Sequence, residues 1–111
     1  MLYAIIIFFS LAAVAGLIIL KKWLTGGNTA RLTIYGHGVL AAIGLILLVV
    51  YYFQNGTKEL QPSIILFVIA AIVGFYMFLR DMKNKMSPVW LAIAHGLVGA
   101  VALLLIVLMV I

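Results

Sequence analysis

The sequence predicts an all-α membrane protein, a four-transmembrane-helix bundle built from two parallel repeated helical hairpins. Three observations carry this expectation. Of 111 residues, 68% are hydrophobic and only 8% charged, whereas an ordinary soluble domain is about a quarter charged. The apolar residues fall into four runs, Leu2 to Leu20, Leu32 to Phe53, Ile64 to Leu79 and Val89 to Ile111, close to the roughly 20 residues needed to cross hydrocarbon. Finally, sliding the chain by 58 residues without a gap superposes its two histidines, His37 and His95.

The first run has no basic segment before it, and Lys21 and Lys22 follow it. That order favours a retained helix with an exported N-terminus over a cleaved signal peptide. Gly26-Gly27 breaks the chain after it, and Asn28 and Thr29 are candidate caps for the second helix. Asn55-Gly56 stops that helix, and Pro62 and Ser63 open the third, the shortest of the four runs. Before the fourth, Ser87 is the expected N-cap, with Pro88 at the first helical position, where its missing N–H is harmless. Trp23, Trp90, Tyr51 and Tyr52 fall near helix ends, where interfacial aromatics belong. The whole chain, 1–111, reads as one transmembrane domain, with 1–53 as the first hairpin and 59–111 as the second. There is no cysteine, hence no thiol or disulfide chemistry.

The repeat rests on rare letters, because Leu, Ile and Val would match by composition alone. The 58-residue offset also pairs Gly38 with Gly96, Gly16 with Gly74, Phe9 with Phe67, and Ala12-Ala13 with Ala70-Ala71. An offset of two crossings makes the repeats parallel, about an axis along the membrane normal. The net charge of +5 follows the membrane rather than a nucleic acid: six of the seven basic residues lie in or beside segments 21–31 and 80–88. The positive-inside rule places those loops in the cytoplasm and both termini outside a multi-pass cell-membrane protein.

Each histidine begins about 10 Å inside its helix at 1.5 Å per residue and heads a stripe of small residues. From His37 the same face holds Ala41 and then Gly44; from His95 it holds Gly99 and then Ala102. Gly16 and Gly74 sit at a similar depth in the first and third helices, with Phe9 and Phe67 positioned to close the space farther in. In a bundle ordered 1-2-3-4, the second and fourth helices are diagonal, so the two imidazoles face each other across the centre. Imidazole is a good iron ligand, and the glycines leave room for a flat ring.

These residues, His37 and His95 with Gly16, Gly74, Gly36, Gly38, Gly96 and Gly99 around them, resemble the membrane four-helix b-type cytochromes, in which histidines on transmembrane helices clamp haem. The resemblance implies one haem b per chain, or one shared between chains, its iron held by His37 and His95. It implies one-electron transport with a quinone or another redox protein as partner. The glycines and Ala41 would line the ring, Arg31 would meet its propionates, and Tyr35 and Thr33 would hold an imidazole nitrogen. The chain departs from diheme members, which require two histidine pairs.

Other functions fit the same residues. Histidines between transmembrane helices can simply hydrogen-bond across an interface, worth ~0.6–2 kcal/mol. A small proton-linked or solute transporter would use them as its coupling groups, since no Asp, Glu, Lys or Arg lies deep in a helix. A structural or assembly subunit of a larger membrane complex would use neither. Membrane lipid is a partner under every reading, and a homodimer is compatible with each. Catalysis is left open, with no catalytic residue named. Two ligands are too few for an intrachain zinc or copper site.

Overall fold

The computed structural model describes all 111 residues, Met1–Ile111. Four helices make up nearly all of it: α1, Leu2–Leu24; α2, Arg31–Asn55; α3, Gln61–Met82; and α4, Val89–Val110. Each is long and apolar enough to span a membrane. In hydrocarbon no water can satisfy a bare amide, so each span must close its own backbone hydrogen bonds, which a helix does. The bundle measures 43 × 19 × 19 Å.

The chain leaves each helix for a local reason. Thr25 Oγ1 donates to the Lys21 carbonyl at 3.0 Å, and Gly26 takes a left-handed φ of 75°. Gly56 closes α2 in the left-handed conformation, its N–H bonding the Tyr52 carbonyl, as the Asn55-Gly56 pair predicts. Asn84, at φ 58°, turns the chain after α3. Lys21 and Lys22 end α1 and Arg80 ends α3, which suits the negative end of a helix dipole. The flanks of the short third run do contribute: α3 has 22 residues and takes Pro62 in its first turn.

Two expected caps are not used. Ala30 precedes α2 and Pro88 precedes α4, neither helix having a side-chain cap. Ser87 is buried with its hydroxyl unpartnered, and so is the Thr29 hydroxyl. At both sites the extended residue just before the helix (ψ 137° at Ala30, 141° at Pro88) takes the cap position.

The helices run up and down in ring order. Packing is most extensive between α1 and α2, then α3 and α4, then α4 and α1, and thinnest along the α2–α3 seam. The interior is drawn from one face of each helix: Ile5, Phe9 and Ala12; Gly44 and Leu48; Ser63, Phe67, Ala70 and Met77; Ala102 and Ile106. Leucines, isoleucines and phenylalanines such as Leu17, Phe53, Ile72 and Leu104 face outward, as a lipid-embedded surface requires. Phe9 and Phe67 stack across the bundle with ring centroids 3.8 Å apart and planes 4° from parallel. Ser63 Oγ donates to the Ala102 carbonyl at 3.1 Å in the interior. Leu60, in the short turn Lys58–Leu60, plugs the end of this core.

Gly44 admits the Phe9 ring, for a Cβ added there would lie 3.1 Å from it. Gly44→Leu is therefore expected to destabilise the bundle by about 1–3 kcal/mol through overpacking. Gly96→Leu, on an exposed face where a Cβ meets nothing, should change stability by no more than about 0.5 kcal/mol. Titration of the two variants with a denaturing detergent measures both.

Candidate functional site

The residues nearest the two histidines come from all four helices. His37 and His95 each occupy the seventh position of their helix, α2 and α4. Their ring centroids are 6.0 Å apart, with planes at 74°, edge toward face. Each ring sits on a glycine of the preceding helix: a Cβ added at Gly16 would lie 3.0 Å from His37 Cε1, and one at Gly74 would lie 2.9 Å from His95 Cε1.

The glycine contact explains how His37 is held. Its Nδ1 lies 2.7 Å from the Ala12 carbonyl of α1. A carbonyl can only accept, so Nδ1 carries a proton and donates it to this oxygen. In an α-helix a carbonyl points toward the residue four positions on, so the Ala12 oxygen faces Gly16. The missing Cβ at Gly16 opens that oxygen's second lone pair to a ring from α2. On the other side, the Ala70 carbonyl faces His95 without meeting hydrogen-bond geometry, and His95 Nδ1 is buried and unpartnered. Both rings are therefore seated alike against a glycine and a backbone carbonyl, with the His37 bond the tighter of the two.

The expected haem does not fit these residues. The hollows over Gly16 and Gly74 are filled by the imidazoles themselves, and the Phe9–Phe67 stack closes the interior beyond them. No group of three or more His, Cys, Asp or Glu side chains is placed to hold a metal ion. The cavities at Val49, Tyr52 and Gln61 and at Asn28, Arg31 and Lys85 touch neither imidazole. The expectations of haem b, iron ligation, a b-type cytochrome and electron transport are corrected accordingly, and the quinone or redox partner loses its basis. The small residues serve helix approach and the seating of the protein's own rings, with no inserted macrocycle.

The other expected site residues are dispersed. Gly38 and Gly96 are exposed, and a Cβ at Gly36, Gly38, Gly96 or Gly99 would meet nothing. Ala41 is half-buried one turn deeper than His37. Arg31 bridges from the start of α2 to Asp81 at the end of α3, a pairing that fixes segments 25–30 and 83–88 at one end. Tyr35 donates toward Met82 Sδ at 3.9 Å and packs edge-on to Phe78, so it does not hold an imidazole. That role falls to the Ala12 backbone, which no side-chain pattern reveals. Gly16 beside Ala12 was the available signal.

No protein-family model, curated protein or solved structure matches the chain.

Gly16→Ala is expected to push the ring off Ala12. In the 15N NMR spectrum, the His37 Nδ1 resonance should lose its hydrogen-bonded shift, with a loss of about 0.6–2 kcal/mol of stability. Gly38→Ala should leave the His37 spectrum unchanged.

Proposed function

We propose that this chain is a small proton-linked membrane transporter in which His37 and His95 carry the coupled proton. The reading rests on one observation: two imidazoles face each other 6.0 Å apart inside a membrane bundle, one anchored and the other with an unpartnered buried nitrogen. Ionisable groups within spans are costly and characteristically mark ion or proton paths. Histidine alone among unperturbed side chains changes charge between pH 5 and 8. The loose contact between His95 Nδ1 and the Ala70 carbonyl leaves that nitrogen available to exchange a proton. A purely structural subunit gives no use to such a nitrogen.

Access follows from the same geometry. The imidazoles lie toward the basic end, and the aromatic stack separates them from the opposite end. The thin α2–α3 seam has the least packing to lose on opening, and the Arg31–Asp81 ion pair is what holds it at the basic end. Burial supports the duplicated-hairpin organisation, since Phe9, Ala12, Gly44 and Leu48 correspond at an offset of 58 to the equally buried Phe67, Ala70, Ala102 and Ile106. Charge supports an orientation with segments 21–31 and 80–88 in the cytoplasm.

Protein reconstituted in vesicles containing a pH-sensitive dye should pass protons under an imposed gradient. His95→Ala should reduce that flux by about tenfold or more, and His37→Ala likewise. Proton-tight vesicles, or an undiminished flux in both variants, would overturn the reading in favour of the structural one. In cells, a cysteine replacing Thr57 should be labelled by an impermeant reagent from outside.

A further inference from the structure

We propose that the basic end of the bundle holds a site for a phosphate group, either the headgroup of an anionic lipid or free phosphate. A cavity of about 380 Å3 lies between the α1–α2 connection and the α3–α4 connection. Its wall is mostly polar, unlike the apolar cavity near Tyr52, and includes Asn28, Thr29, Arg31, Asn84 and Lys85, with Trp23 at its side.

Charge and hydrogen-bonding capacity both select an anion. Asp81 also lines the cavity but is bonded to Arg31 Nη1, so Lys85 leaves the lining with a net charge of +1. A guanidinium has five N–H donors, and this ion pair uses one nitrogen of Arg31. Asn28 and Asn84 add amide donors. Three of the four buried, unpartnered polar side-chain atoms in the protein are Thr29 Oγ1, Arg80 Nε and Ser87 Oγ. All three belong to this end. Thr29 is in the wall itself, Ser87 follows the wall residue Met86, and Arg80 holds the Met86 carbonyl through Nη2 at 2.9 Å. These three atoms are enclosed by protein, so a guest in the cavity meets Arg31, Lys85, Asn28 and Asn84 instead. Phosphate matches because it is anionic, accepts on several oxygens, and lies at headgroup depth in a bilayer, where basic pockets between helices recognise it.

The test uses the full chain in detergent. Native mass spectrometry should show retention of phosphatidylglycerol over phosphatidylcholine. Lys85→Gln should weaken that retention about fivefold, the effect of one near-surface charge. Lys83→Gln, two residues away in sequence but outside the wall, should not. In a Trp90→Phe background, Trp23 fluorescence follows inorganic phosphate. Saturable quenching without a phosphatidylglycerol preference would identify free phosphate as the source, and a preference for the lipid would identify the headgroup. Equal retention of both lipids with no response to phosphate would overturn the site. Equal losses from Lys85→Gln and Lys83→Gln would also overturn it, reducing it to diffuse surface charge. Neither result bears on proton flux.

Discussion

Helices immersed in hydrocarbon gain little by burying leucine, because the lipid is as apolar as the interior. The structure therefore depends on close approach between backbones, and the rest of its architecture follows from where small residues permit it. Gly44 receives the Phe9 ring, Gly16 receives His37 and Gly74 receives His95. These contacts turn dispersion, weak for each atom pair but additive over a whole ring, into the attraction that holds four spans together. The bulky apolar side chains left outside are the solvent-matched surface of this solution.

The same constraint makes a polar site possible. A helix carbonyl in mid-span already accepts from its own helix, and a side chain normally screens its second lone pair. At Ala12 the screening residue four positions on is glycine, so packing space and hydrogen-bond access are the same vacancy. His37 uses both. His95 uses the packing space over Gly74 without completing the bond. Both rings are thus seated over a glycine, and the bond to the backbone is the tighter at His37.

Much of the frame is legible in the chain. Length and hydropathy define the spans, Gly56 ends α2 where its αL preference predicts, and Phe9 and Phe67 meet at the depth their positions indicate. The caps were less legible. Asn28, Thr29 and Ser87 are capping residue types, yet Ala30 and Pro88 take the positions with extended backbones and no side-chain cap. The occupant of the small-residue space was not legible at all. Glycines state that something bulky approaches; they do not distinguish a ring belonging to the protein from one inserted into it. Here each histidine fills the hollow expected to make room beside it. Nor does sequence signal a backbone acceptor such as Ala12, or direct Arg31 to Asp81.

The two ends of the bundle divide the consequences. Toward the Lys58–Leu60 turn the interior is continuous, with Ile5, Phe9, Leu48, Leu60, Phe67, Ala102 and Ile106 in one cluster. Toward the basic end that cluster stops, and imidazoles, glycines and unpartnered hydroxyls take over. Tight apolar packing resists opening because any gap forfeits contacts on every side. A polar region held by a few hydrogen bonds and one ion pair has alternative partners in water and headgroups, so it can rearrange at smaller cost. At that end Arg31 and Asp81 tie α2 to α3 across the seam that has least packing of its own. The imidazoles lie toward the end where the bundle is polar, and the stacked rings of Phe9 and Phe67 stand between them and the other end.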